Sequence, residues 1–185
     1  MKKIITLFLV LIILGTVLRF GFEKAVLFIY PLDYEEYILS SADENGLDPY
    51  LIMAVIKAES NYETDAHSGY ASGLMQITDE TAEWIASKLK LDSYDINNPE
   101  TNIKMGCYYL KYLKNMYQDE ALALAAYNAG PGNVSKWLSD SDYTDVDGNL
   151  TYIPFSETRE YVKRIEKYKD IYKKLYKDKI EEEFS

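Results

Sequence analysis

The segment Leu51-Ile52-Met53-Ala54-Val55-Ile56-Lys57-Ala58-Glu59-Ser60 places a carboxylate where a charge is costly. Ile52, Val55, Ile56 and Glu59 recur at helical spacing on one face, so Glu59 shares the apolar side of its helix, near the C-terminal end. Desolvation, the negative helix end and any neighbouring carboxylate would each raise its pKa. A glutamic acid that keeps its proton near neutral pH is what general acid catalysis requires. This segment alone leaves open a glutamate that curls from the helix end into water.

Further polar and glycine-rich clusters follow. They are Glu59-Ser60-Asn61-Tyr62, Ala71-Ser72-Gly73-Leu74-Met75-Gln76-Ile77-Thr78, Asn102-Ile103-Lys104-Met105-Gly106, Ala125-Ala126-Tyr127-Asn128-Ala129-Gly130-Pro131-Gly132 and Ile153-Pro154-Phe155-Ser156-Glu157-Thr158-Arg159-Glu160-Tyr161-Val162. Gly73 would let backbone approach a ligand closely. Met75 offers a flexible, polarizable contact, and the alternative for Leu74 and Met75 is core packing. Gln76, Asn128 and the Tyr127 hydroxyl supply both donors and acceptors. Glu157 also suits the N-terminal end of its own helix.

Composition narrows the chemistry. Hydrophobic residues make up 48% and charged residues 27%, a globular balance. The formal net charge of -10 argues against nucleic acid, which needs a basic footprint. One Cys excludes an internal disulfide, and one His excludes a His-based zinc cluster. Asp145-Val146-Asp147-Gly148-Asn149 fails as an EF-hand, because Tyr143 and Pro154 would occupy the first and last ligand positions. The 18 tyrosines suit a half-wet groove, but most are expected at core and surface positions where other proteins use Phe.

The elements that must position these residues are helical nearly throughout. Helices are predicted from Asp33 to Asn45, ended by Gly46, and from Asp48-Pro49, Thr78-Asp79-Glu80 and Asn98-Pro99, each opened by a capping signal. The helix after Asn98 buries Ile103, Cys107, Leu110, Leu113 and Tyr117. Another spans Ala121 to Tyr127, broken by Gly130-Pro131-Gly132. A last one runs from Glu157 toward Lys179 on a stripe of Tyr161, Ile165, Tyr168, Tyr172 and Leu175. Asp147-Gly148 between Thr144 and Tyr152 predicts a small β-hairpin.

Ahead of these, Met1-Lys2-Lys3 leads an apolar run from Ile4 to Leu18. No small-residue cleavage site follows it, and a second apolar patch covers Val26 to Tyr30, which favours an uncleaved anchor over a secretory signal. The run is about 15 residues against the roughly 20 of a spanning helix. Phe20 and Phe22 would extend it, with Arg19 snorkelling. Lys2 and Lys3 would stay cytoplasmic and the rest of the chain would lie outside the cell membrane. The expected division is an anchor over 1–30 and one all-α domain over 31–185.

The five clusters, in this order, resemble the catalytic domain of the soluble-type (SLT) lytic transglycosylases, over about residues 33 to 175. The resemblance implies a goose-lysozyme-like fold and a peptidoglycan lytic transglycosylase, acting on bacterial glycan strands with no metal or cofactor. It implies Glu59 as the catalytic acid/base. It implies Ser60, Gly73, Met75, Gln76, Tyr127, Asn128, Glu157 and Tyr161 as substrate-site positions, with Ser60 supporting the loop. The chain departs from the family pattern where His67 stands at the usual Ser and Tyr70 at the usual Gly, with Ser68 displaced by one. The rival readings are a lysozyme-like hydrolase on the same fold, a non-catalytic peptidoglycan-binding scaffold, and a membrane-anchored helical protein with a partner-binding role.

Overall fold

The computed structural model describes residues 2–183, with side chains described for 13–182. Two units divide between Asp33 and Tyr34. The first is a single helix, α1 (Lys2–Ile29). Its described side chains leave Ile13, Leu14, Val17, Leu18, Phe20 and Phe22 exposed. Among the described residues no helix is long and apolar enough to cross a membrane. The side chains of Lys2 and Lys3, on which the expected orientation rests, lie outside the described residues.

The second unit is mostly helical, in the order α2 (Glu35–Asn45), α3 (Pro49–Glu59), α4 (Asp79–Leu89), α5 (Pro99–Tyr117), α6 (Glu120–Ala129), α7 (Pro131–Leu138) and α8 (Ser156–Glu183). The capping signals work as expected. The side chains of Asp48, Thr78 and Asn98 accept backbone N–H groups at the starts of α3, α4 and α5, and Asp119 does the same for α6. Gly46 ends α2 in the left-handed region, at φ 63°. Pro131, expected only to break a helix, also opens α7 as its first residue.

The one-face reading of α3 understates its burial. Leu51 through Ile56 are all fully buried, so the helix is apolar around its whole circumference and runs through the centre of the unit. It packs chiefly against α8, with α2 beside it. Then α5 packs on α2 and α6, and α6 joins α7 and α8. Lys169 of α8 ties this frame together, reaching Glu120 of α6 at 2.6 Å and Asp48 of the α3 cap at 3.4 Å.

Two β features differ from expectation. The predicted hairpin over 144–152 is a turn closed by one bridge, Thr144 to Leu150. Its shape comes from Asp145, whose carboxylate accepts the N–H groups of Asp147 and Asn149 and so replaces strand pairing. A three-stranded antiparallel sheet lies instead between α3 and α4: β1 (His67–Ser68), β2 (Ala71–Ser72) and β3 (Ile77–Thr78), in the order β1-β2-β3. Two-residue strands leave no period to detect in the sequence.

The loop from β2 to β3 is pinned to α5 by a fully buried asparagine. Asn102 Oδ1 accepts the Met75 N–H at 2.7 Å, and its Nδ2 donates to the carbonyls of Ser72 at 3.0 Å and Ile96 at 2.9 Å. Gly73, at φ 78°, lies so close that a Cβ would sit 2.2 Å from Asn102 Nδ2. A Cβ at Gly106 would likewise sit 2.8 Å from the Met75 Cβ. Both glycines thus serve loop-to-helix packing. Asn102→Ala strands one N–H and two carbonyls in a dry site, so it should lower the unfolding free energy by about 3 kcal/mol. Urea denaturation of the purified protein measures this, and a loss below about 1 kcal/mol would show that the loop holds without it.

Candidate active site

Glu59 is the last residue of α3, where the buried helix emerges. Burial is the main cause that pushes its carboxyl up to about 7 from an ordinary 4.5. Two groups act the other way: the Tyr161 hydroxyl, which donates a hydrogen bond to Glu59 Oε1, and the more distant Arg164 guanidinium. Near neutral pH the group is therefore poised between acid and base.

The turn after Glu59 is tightly held. Asn61 and Tyr62 are consecutive non-glycine residues in the left-handed region, at φ 53° and 69°. Ser60 supports them: its hydroxyl accepts the Tyr62 N–H and donates to the Ile56 carbonyl. Ser60 is buried, so it serves the turn and offers no hydroxyl to a ligand.

The β2–β3 loop forms the next wall. The Met75 side chain is fully buried over Gly106. Gly73 faces Asn102 and Ile96. Gln76 does line the cleft, but its carboxamide is used inside the loop. Its Nε2 donates to the carbonyls of Ala66 and Gly73, both at 2.9 Å, and its Oε1 accepts from Ser68 at 2.5 Å. At the two departures from the family pattern, His67 Nδ1 pairs with Ser72 Oγ at 2.9 Å, and Tyr70 is largely exposed at the hairpin tip.

Tyr161 is 2% exposed, and its hydroxyl holds the Glu59 carboxyl from α8. Tyr127, from the end of α6, donates to the Met75 carbonyl at 2.8 Å. Burial keeps its hydroxyl neutral, with the Glu59 carboxylate a second cause. Asn128 accepts from the buried Thr158 hydroxyl at 2.8 Å, which occupies its oxygen and leaves its NH2 for an acceptor on a ligand.

These residues border two clefts. One, of about 530 Å³, runs from Gln76 and Thr78 past Trp84, Tyr109 and Tyr112 to Tyr127 and Asn128. The other, of about 540 Å³, lies between Asn128 and the start of α8, with Phe155 and the exposed Glu157 on its wall. They meet at Asn128 and Ala129, which line both. Glu59 lines neither, but Tyr127, which lines the first cleft, is close enough to feel its charge. Trp84, Tyr109 and Tyr112 were not singled out from sequence, and Asn102 and Thr158 stood in the motif clusters without a role of their own. The aromatic three lie on α4 and α5 at ordinary core spacing, and only the meeting of the two helices turns them into a wall. Among the described residues no cluster of His, Cys, Asp and Glu could hold a metal ion.

The model of the transglycosylase SLT domain family matches residues 36–147. The soluble lytic murein transglycosylase of Escherichia coli strain K12 is 34% identical over 157 residues, 81% of this chain and 24% of that protein. The membrane-bound lytic murein transglycosylase F of Desulfosudis oleivorans is 32% identical over 69% of this chain and 30% of its own length. Among solved structures, an inactive mutant of lytic transglycosylase Slt from Pseudomonas aeruginosa has a TM-score of 0.70 at 34% identity, covering 78% of this chain and 24% of that one. The 70-kDa soluble lytic transglycosylase in complex with bulgecin A has a TM-score of 0.71 at 33% identity, covering 79% and 25%. The chain thus spans about a quarter of the length of the soluble relatives it matches. The mostly helical, lysozyme-like fold expected from the motifs is the fold these structures share.

The raised carboxyl of Glu59 has a thermodynamic signature. The folded state keeps the proton up to about pH 7 and the unfolded chain only to about 4.5, so the stability it contributes is full below 4.5 and lost as pH rises through 7. Relative to Glu59→Gln, the wild type should lose about 3 kcal/mol between about pH 4 and about pH 8, measured by urea denaturation at each pH. Tyr161→Phe removes a donor that favours the charged form, so the Glu59 pKa should rise further above 7 in an NMR titration. A fall instead would show that Tyr161 does not hold the carboxylate.

Proposed function

Because the chain belongs to the transglycosylase SLT domain family, we propose that it is a peptidoglycan lytic transglycosylase, cutting the β-1,4 bond from N-acetylmuramic acid to N-acetylglucosamine. One observation carries this reading: Glu59 is a desolvated carboxyl poised near 7, held by Tyr161 behind the cleft wall. Its proton goes to the glycosidic oxygen as the bond to the anomeric carbon breaks. The 2-acetamido group of the muramic residue shields the positive centre left there. Glu59, now a carboxylate, takes the proton of that sugar's C6 hydroxyl. The oxygen closes on the anomeric carbon to give a 1,6-anhydro ring, so no water is consumed and the acid is regenerated. Attack within one ring gains from proximity. Tyr127 and Asn128 would bear on the cut sugar, and Glu157 on the strand in the second cleft.

We further propose that residues 1–30 tether this activity to the cell membrane, with the domain on the wall side. The apolar side chains exposed on α1 support the tether, as does the resemblance to a relative named as membrane-bound. Protease added to intact cells should digest the domain. A mature protein starting beyond Phe22 would show a cleaved signal instead.

Digestion of purified peptidoglycan should yield fragments about 18 Da lighter than hydrolytic ones and resistant to borohydride, as ring closure requires. Fully reducible products would make the protein a lysozyme-like hydrolase. Glu59→Gln should keep wall binding and lose activity by several orders of magnitude, because no other group delivers the proton. Near-normal turnover in that variant would remove Glu59 from the mechanism. A wild type that binds wall and never cuts it would be a scaffold.

A further inference from the structure

We propose, resting on the reading of the cleft as a peptidoglycan site, that its α4–α5 part binds a cationic amine: the free amino group of a diamino acid in the peptide stems that the glycan carries. Three rings form an open corner there. Trp84 and Tyr112 have centroids 4.7 Å apart at 60°, Trp84 and Tyr109 are 6.1 Å apart at 73°, and Tyr109 and Tyr112 lie nearly parallel, at 13°. Aromatic faces carry a negative quadrupole that attracts ammonium groups.

The charge of the lining points the same way. Among the described residues of the lining, Glu80 is the one carboxylate and there is no Lys, Arg or His. The start of α4, which also faces this cleft, would ordinarily favour an anion. Here the Thr78 hydroxyl accepts the Thr81 N–H, and Asp79 and Glu80 sit in the first turn, which offsets the positive helix end. Trp84 already attracts one ammonium, that of Lys88 on its own helix, 5.8 Å from the ring centroid and outside the cleft lining. A neutral sugar could stack on the same rings, but it would gain nothing specific from an acidic lining without a base. Tyr127 and Asn128 line the same cleft, so a strand held there would bring its stem toward this corner.

The test compares glycan strands bearing stems with free amines against the same strands after N-acetylation, which removes the charge. The wild type should show a kcat/KM about three- to tenfold higher on the free-amine strands, the range of one exposed ion pair with a cation–π contact. Glu80→Gln should bring that ratio close to one, and Trp84→Ala should narrow it. A wild-type ratio near one, or a ratio unchanged in Glu80→Gln, overturns the proposal. Trp84→Ala losing equally on both substrates also overturns it and assigns the corner to a sugar. Affinities of free-amine and acetylated stem peptides for the full chain, followed by NMR, give the same ratio without turnover. If those affinities differ while no strand is cut, the catalytic reading fails and the amine site stands; equal affinities overturn the site.

Discussion

The structure turns on a single hydrogen bond between the two helices that pack most extensively. Tyr161 of α8 reaches the Glu59 carboxyl at the end of α3. Burial drives the group toward its neutral form, and the phenol pulls it part of the way back. A surface glutamate would be ionised and idle as an acid. A fully desolvated one without a donor would hold its proton too firmly to act afterwards as a base. The central, all-apolar α3 sets the first limit and the register of α8 sets the second. The ion pairs from Lys169 to Glu120 and Asp48 fix that register about two turns further along.

Around this pair the polypeptide spends its polar groups on itself. Ser60 stabilises the strained turn at Asn61 and Tyr62, Gln76 closes its own loop, and Asn102 satisfies three backbone groups at once. Such networks rigidify a site because each buried group is costly to leave unpaired. The left-handed residues at 61, 62 and 76 are the local cost of that rigidity.

The helical frame was legible because its signals are local. Asp48-Pro49, Thr78 and Asn98-Pro99 each mark a helix start by chemistry within three residues, and each cap is observed. The acid was legible through one apolar stripe and a motif. What the neighbouring motif residues do was less so. Met75, Gly73, Ser60 and Tyr161 look like ligand contacts when taken one at a time. Their partners are Gly106, Asn102, Tyr62 and Glu59, and whether a side chain faces a groove or a partner depends on packing between distant segments. The aromatic corner was hidden for the same reason. Trp84 and Tyr112 are 28 positions apart, and either one alone suits a core. The turn at Asp145 misled because Asp-Gly reports a reversal of the chain without saying whether strands or a side chain close it.

The division between an inward-facing support and an outward-facing rim has an evolutionary consequence. Tyr161 touches the Glu59 carboxyl directly, and Asn102 and Gly73 pack on each other under the β2–β3 loop, so a change at any of them disturbs a buried contact. Trp84, Tyr112, Phe155 and Tyr70 stand on the outer walls and tip, with part of each ring in water. Selection can exchange those rings with little disturbance to the frame. Descendants of one scaffold can therefore diverge at the rim while inheriting the same interior unchanged.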